Sequence, residues 1–394
     1  MTTPRRAPGG FPVVGIIGGG QLARMCAAPA AELGITLAVL AQSPDDSAAL
    51  VIPASPVGEH TDEAAVLALA EVCDVVTFDH EHVPAEVLAA VRAKGVPMHP
   101  HPEALRFAQD KLAMRTRLTE LGIACPRWAQ AHTVAEVARF GDEVGWPVIA
   151  KTPRGGYDGR GVRLVERAED LGDWLTRARE AGEGLLLEER VPFVRELAVL
   201  MARSPSGQLA TWPVVETVQT DGICTEVIAP APGLDRTLAE KLLTAGAQIA
   251  AALDVTGVFA IEAFETRTAE GEPGFVVNEL AMRPHNSGHW SMDGAVTGQF
   301  EQHLRAVLDL PLGQPHARER WTVMANVLGG DYPDLYPAYR HVMARDPGAK
   351  IHMYGKGVRP GRKIGHVNVC GNDLADVRDR ARHAADYIQG VVTE

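Results

Sequence analysis

The chain has 394 residues, 46% hydrophobic and 22% charged, with a formal net charge of −12. That length points to two or three domains of a globular protein. The acidic balance, the absence of a basic run and the lack of any apolar run near the roughly 20 residues that span a bilayer speak against nucleic acid or a membrane as partner. Five scattered cysteines without a Cys-x-x-Cys pair fit a reducing cytoplasm, so the expectation is a cytoplasmic protein acting on small molecules.

Residues 1–10 carry no apolar core and read as a disordered tail rather than a signal peptide. Pro12–Ile17 reads as a buried strand, Gln21–Ala28 as a helix opened by Gly18–Gly20, Leu37–Leu40 as a strand, Glu63–Ala70 as a helix and Val75–Phe78 as a strand. This alternation predicts a parallel, doubly wound sheet with ligands at the carboxyl ends of its strands. Gly18-x-Gly20-x-x-Ala23 nearly matches the dinucleotide fingerprint, and Asp45 and Asp46 stand where a ribose-binding acid would, so a nicotinamide oxidoreductase stays open here. His80, Glu81 and His82 raise the question of a metal, although hydrogen bonding at a sheet edge explains them as well.

Pro102–Leu118 reads as one amphipathic helix, ended by Gly122. Ala150–Gly161 reads as strand, glycine-rich loop and the start of a return strand running to Val165. Its glycines allow positive φ and a close backbone approach, successive N–H groups form an anion-binding concavity, and Lys151 stands at its edge. The loop is no P-loop, since Val162-Arg163 follows Gly161, and the glycine spacing is not that of a kinase. A plain flexible hairpin is the alternative, but Tyr157, Asp158 and Arg160 are costly residues for one. Leu185–Val191 and Arg195–Ala202 read as further strands.

Gly257–Phe264 and Phe275–Leu280 flank a polar turn, and a hairpin centred near residue 270 sets Glu262 opposite Glu279. Like charges directly opposite destabilise a strand pair unless a cation lies between them, and an oxygen-rich pair suits Mg²⁺ held with nucleotide phosphates. A slipped pairing with one acid at the edge is the alternative. Arg283-Pro-His-Asn-Ser-Gly-His289 beyond it reads as a substrate loop. Trp321–Leu328 and Val367–Val369 are strands, and Ala375–Tyr387 is a closing helix. Lys356, Arg359, Arg362 and Lys363 crowd one turn, which reads as phosphate-binding, with a solvated basic turn as the alternative.

Together, Gly20–Met25, Gly155–Gly161, Asn278–Leu280, His285–Trp290 and Arg359–His366 resemble the ATP-grasp ligases, over nearly the whole chain. Within them the resemblance is to members that carboxylate an aminoimidazole ribonucleotide. It implies a mixed α/β and α+β architecture: an N-terminal doubly wound, Rossmann-like domain over 11–101, an ATP-grasp domain over 102–314 and a small C-terminal domain over 315–394. It implies a reaction in purine biosynthesis in which ATP, bicarbonate and 5-aminoimidazole ribonucleotide give the carboxyamino product, ADP and phosphate through carboxyphosphate, with Mg²⁺ or substituting Mn²⁺, in a homodimer. By the same resemblance Arg106, Lys151, Gly156, Tyr157, Gly159, Arg160, Gly161, Glu188, Glu189, Arg190, Val191 and Glu196 hold ATP. Glu262 and Glu279 hold the metal with help from Asn278, which strict alternation would point to the other face unless the strand is distorted. Arg283, His285 and Asn286 meet bicarbonate. Gly20, Gln21, Leu22, Asp158, Lys356, Arg359, Arg362 and Lys363 meet the ribonucleotide, with Asp158 the acid placed to take the amine's proton. The chain departs from the family pattern at Ala23, Thr217, Gln219 and Asp79–His82. Formate-using ribonucleotide transferases and biotin carboxylases are the neighbouring alternatives, and the Arg359–His366 turn separates the chain from them.

Overall fold

The computed structural model describes residues 4–155, 161–332 and 334–393. These form three sheets. The first is parallel, ordered β2-β1-β3 from β1 (Val13–Ile17), β2 (Thr36–Leu40) and β3 (Val75–Phe78). Every residue of β1 and β3 is buried, as expected of parallel strands covered on both faces. The helix expected from Gln21 is two, Gln21–Met25 and Ala27–Glu32. Pro29 cannot donate to the carbonyl four residues back, so the first helix stops at Met25. Within residues 1–10, expected as a disordered tail, Arg5 and Arg6 make contacts with the first domain. Arg6 donates to both carboxylate oxygens of Asp74 at 2.7 and 2.9 Å, and Thr36 Oγ1 donates to the Arg5 carbonyl.

The helix expected over Pro102–Leu118 is also divided, into Pro102–Gln109 and Lys111–Glu120. Asp110 between them is extended, with φ −129° and ψ 105°, and its side chain caps the second helix by accepting from Ala113 N at 3.0 Å. The extended residue forms a bridge to Arg154, so the break ties this helix pair to the glycine hairpin.

The second sheet, ordered β4-β7-β5-β6, contains β4 (Trp128–Ala131), β5 (Val148–Lys151), β6 (Val162–Val165) and β7 (Leu185–Glu189). Strands β5 and β6 pair antiparallel from Val148↔Val165 to Lys151↔Val162, the hairpin the sequence predicts. The third sheet has nine strands. They are β8 (Arg195–Arg203), β9 (Leu209–Thr211), β10 (Val215–Thr220), β11 (Ile223–Ala229), β12 (Gly257–Arg267), β13 (Pro273–Ala281), β14 (Trp321–Leu328), β15 (Lys350–Met353) and β16 (Lys363–Gly371). Its order is β13-β12-β8-β10-β11-β14-β16-β15, with β9 on β8. One sheet thus joins strands from either side of residue 314, because β14 pairs directly with β11. The helix Arg236–Ala252 packs the β8 and β12 side, and Leu374–Gln389 packs the β14 and β16 side.

Candidate active site

A cavity of about 2030 Å³ lies between the second and third sheets, lined from β5, β6, β7, β8, β10, β12 and β13. On its floor β12 and β13 pair antiparallel with Glu262 directly opposite Glu279. The register shifts immediately beyond, from Glu262↔Glu279 to Ala263↔Val277, leaving Asn278 as the extra residue. This bulge is the distortion that strict alternation required. Asn278 Oδ1 accepts from Lys151 Nζ at 3.0 Å, and the peptide oxygens on either side of the bulge are also used: Arg115 donates to Val277 O at 3.1 Å and to Asn278 O at 2.6 Å.

Lys151 ends β5 and is held from two sides. Its ammonium lies 2.7 Å from Glu188 Oε2, and Arg115 Nε lies 2.5 Å from Glu188 Oε1. Arg115 is 0% and Glu188 3% exposed, so the carboxylate has its two cations and little water. Burial raises the Glu188 pKa, but Lys151 and Arg115 outweigh it and hold the group below the usual carboxylate range. Glu188 therefore fixes Lys151. Lys111, at the helix start created by the Asp110 break, reaches the same place: its ammonium lies 3.3 Å from Glu279 Oε1 and 3.2 Å from Gly155 O. Sequence reading missed Lys111 and Arg115. The signal for Lys111 was Asp110, an N-cap residue inside an apparently continuous helix.

Glu262 keeps 33% of its side-chain surface, and it lines the cavity. Burial first, then Glu279 and Glu196, push its carboxyl up to about 7. The pair fits a hard divalent cation: two facing oxygen ligands, whose mutual repulsion is only partly offset by Lys111 beside Glu279 and the His285 N–H beside Glu262. Among the described residues no cluster of three or more His, Cys, Asp or Glu could hold a metal, so further ligands would come from phosphate and water.

The floor continues into Arg283, His285 and Asn286. Arg283 Nε donates to Glu81 Oε2 at 2.6 Å, and Met282 N to Glu81 Oε1 at 3.2 Å. Glu81 is thereby committed to this strand end, and the trio His80, Glu81 and His82 is not a metal site. His285 Nδ1 accepts from Ser287 N at 3.3 Å, so Nε2 carries the proton and lies 3.3 Å from Glu262 Oε1. Burial, with Arg283 and Lys363 nearby, lowers the His285 pKa to about 3 and keeps the ring neutral. Asn286 Nδ2 is buried without a hydrogen-bond partner among the described residues, a donor left for a ligand oxygen.

The other predicted residues divide into three groups. Glu188, Glu189, Arg190, Val191 and Glu196 line the cavity together, with Glu189 also paired to Arg127 Nε at 2.7 Å. Gln219 lines it too, near Glu196. Arg106 lines its outer part and is exposed. Gly20, Gln21 and Leu22 lie at the start of the first helix, where Gln21 Oε1 accepts from Lys356 Nζ and Ser47 Oγ donates to Tyr354 O at 2.5 Å. The first sheet and the basic turn therefore meet. Lys363 lines the large cavity, whereas Arg359 and Arg362 are exposed, so one turn serves two places. Gly161 has φ 75° and its carbonyl accepts from Thr152 N at 3.0 Å. Gly156, Tyr157, Asp158, Gly159 and Arg160 lie outside the described residues.

At the glycine turn of the first domain the dinucleotide reading fails. Asp79 Oδ1 accepts from Ala23 N at 2.8 Å, so the protein's own carboxylate sits where a pyrophosphate would. Asp46 accepts from Gln42 N at 2.8 Å and Ser43 N at 3.2 Å, closing its own turn.

Three family models match the chain in succession: a ribonucleotide synthetase preATP-grasp domain over residues 12–109, an ATP-grasp domain over 116–300 and a phosphoribosylaminoimidazole carboxylase C-terminal domain over 322–380. The N5-carboxyaminoimidazole ribonucleotide synthase of Mycobacterium tuberculosis is 51% identical over 380 residues, covering 96% of this chain and 88% of that protein. A carboxyaminoimidazole ribonucleotide synthase of Aspergillus clavatus, solved with ATP, superposes with a TM-score of 0.86 at 32% identity, covering 97% of this chain and 99% of that one. The N5-carboxyaminoimidazole synthase of Aspergillus clavatus, solved with ADP and 5-aminoimidazole ribonucleotide, gives 0.85 at 32% identity, covering 96% and 99%. No helix among the described residues is long and apolar enough to cross a membrane. A doubly wound domain, a glycine hairpin over a carboxylate-floored cavity and a basic turn returning to the first domain agree with these matches, and the chain belongs to the N5-carboxyaminoimidazole ribonucleotide synthase family of ATP-grasp enzymes.

Proposed function

We propose that this chain carboxylates 5-aminoimidazole ribonucleotide in purine biosynthesis, consuming ATP and bicarbonate and releasing ADP and phosphate. The observation that carries the reading is the Glu262–Glu279 pair on the cavity floor, with Lys151 and Lys111 on one side and His285 and Asn286 on the other. Bicarbonate oxygen attacks the γ-phosphorus and ADP leaves, giving carboxyphosphate. The ribonucleotide amine then attacks the carboxyl carbon, phosphate leaves and the amine gives up a proton.

Glu262 and Glu279 would hold Mg²⁺, or Mn²⁺ in its place; when bound, the ion neutralises charge on the transferring phosphoryl group. Lys151, fixed by Glu188 and Asn278, and Lys111 bind phosphate oxygens. Glu188–Val191, Glu196 and Arg106 form the nucleotide end, and Gly156, Tyr157, Gly159, Arg160 and Gly161 of the glycine loop are assigned to the same nucleotide. Arg283, neutral His285 and the unpartnered Asn286 amide orient bicarbonate. Gly20–Leu22, Lys356, Arg359, Arg362 and Lys363 hold the ribonucleotide, and Asp158 accepts its proton. The division into units over 11–101, 102–314 and 315–394, the homodimer and the cytoplasmic setting belong to the same proposal. An ADP-release assay with each substrate omitted in turn tests it: full release should need both bicarbonate and the ribonucleotide. Release equally fast with formate in place of bicarbonate, or none with all substrates present, overturns it.

A further inference from the structure

Gln299 has no part in the reaction as proposed, yet it is fully buried and every polar group it carries is used. Its side-chain amide clamps the peptide of His285 from both ends: His285 N donates to Gln299 Oε1 at 2.9 Å, and Gln299 Nε2 donates to His285 O at 2.9 Å. The pairing fixes the amide's orientation, since a flipped amide would set oxygen against oxygen and nitrogen against nitrogen. The same Nε2 lies 2.7 Å from His289 Nδ1, which must then be the bare nitrogen of a neutral ring. Gln299 N donates to Ser291 Oγ at 3.0 Å, and Ser291 Oγ donates to Gly288 O at 2.6 Å. A Cβ on Gly288 would come within 2.5 Å of Gln299 Oε1, so glycine there makes room for the clamp.

Behind it, His289 stacks on His366 with ring centroids 4.9 Å apart, and Tyr354 Oη lies 2.8 Å from His366 Nδ1. Burial keeps both imidazoles neutral, their pKa values well below the ordinary histidine range. Tyr354 immediately precedes the Gly355–Lys356 turn that meets Gln21. A buried polar chain therefore runs from the loop at the carboxylate floor to the turn at the first domain.

We propose that Gln299 is a positioning residue for the carboxylating step: it sets the backbone of His285, and with it Asn286, at the place bicarbonate must occupy, and His289 on His366 holds Gln299 in turn. This rests on the functional reading above. A peptide gripped at both N–H and C=O cannot rotate, and a misplacement of about 1 Å at a reacting group costs about 10²-fold in rate. The nucleotide end of the cavity does not touch Gln299 and should not feel its loss.

Gln299→Glu keeps the shape and the acceptor for His285 N but leaves at most one donor, a carboxyl O–H, where the amide gave two, to His285 O and to His289. Steady-state kinetics should show a bicarbonate KM raised about tenfold or more and a kcat lowered about tenfold or more, with calorimetric ATP affinity within about twofold of wild type. Ser291→Ala, a milder change that removes the anchor of Gln299 N and the bond to Gly288 O while leaving the clamp on the His285 peptide in place, should raise the bicarbonate KM about threefold, the scale of a hydrogen bond. It supplies the test if the buried glutamate prevents folding. Folded variants with wild-type bicarbonate KM and kcat overturn the proposal, as does a parallel loss of ATP affinity, which marks a general structural role. Wild-type enzyme run alongside separates the two levels: if it makes no carboxylated product, the functional reading fails and this inference with it.

Discussion

Gly18–Gly20 and the Gly155–Gly161 loop each follow a short apolar strand, but the space beyond them differs. A Cβ on Gly20 would collide with the Asp79 carboxylate and one on Gly19 would come to 2.8 Å from Asp46 Oδ2, so the protein fills its own first turn. Beyond Gly155, with φ +69°, no atom of the described residues lies within 4 Å of such a Cβ, and the residue lines the large cavity. At Gly19 and Gly20 glycine permits close packing; at Gly155 it permits a positive-φ backbone and leaves room. Charge follows the same division. Asp79 and Asp46 accept from backbone N–H groups, whereas Glu262 and Glu279 face each other across an open floor. Glycine pattern marks both places; facing carboxylates beside open space mark only the second.

The comparison is broken most severely at the open site. Glu279→Gln should lower turnover by about 10²- to 10³-fold, the several kcal/mol a catalytic cation supplies. Its melting temperature should hold or rise, because one of two facing charges is gone. ADP release and a thermal scan measure both, and near-normal turnover at ordinary magnesium would remove the pair from the site. Asp158→Asn should cost carboxylation about 10²-fold while ATP affinity holds, since asparagine supports a turn almost as well. Ribonucleotide kinetics beside a nucleotide titration decide between a proton acceptor and a turn former.

Smaller effects sharpen the comparison from the closed side. Gly20→Ala should destabilise by about 1–3 kcal/mol, the usual scale of overpacking, because Asp79 must leave Ala23 N. Denaturant unfolding would show it, and an unchanged midpoint would mean the turn has slack. The smallest effect is a pH slope in protein stripped of divalent ions. Glu262 has a carboxyl value raised to about 7 in the folded state, so the folded state holds its proton more tightly than the unfolded. Its contribution to stability is present below the ordinary carboxyl value and is lost as pH rises from there to about 7. Glu262→Gln should flatten that part of the slope in unfolding measured across this range.

The register of Glu262 with Glu279 was legible because the polar turn between the two apolar runs sets the centre of the hairpin. The glycine hairpin and the first sheet were legible for similar local reasons. Lys111 was not, because the apolar periodicity of Pro102–Leu118 continues through Asp110 and hides a break made by a tertiary bridge to Arg154. Arg115 was missed, and its pairing with Glu188 was not legible, because it joins residues 73 apart in sequence and nothing local says that Glu188 also holds Arg115 and Lys151. The basic turn was legible as basic but not as divided, because the start of β16 aims Lys363 into the cavity while Lys356 meets Gln21. Gln299 left no signal at all, since a buried amide gripping a distant peptide is invisible until the chain is folded.

The central claim is that ligand phosphate goes to the carboxylate floor and not to the glycine turn of the first domain. Titration calorimetry on one preparation, with ATP in the presence of Mg²⁺ and separately with NAD, tests it directly. The account predicts saturable heat with ATP, lost in Glu279→Gln when magnesium is the only divalent ion, and none with NAD. Saturable NAD binding without any ATP heat would contradict it.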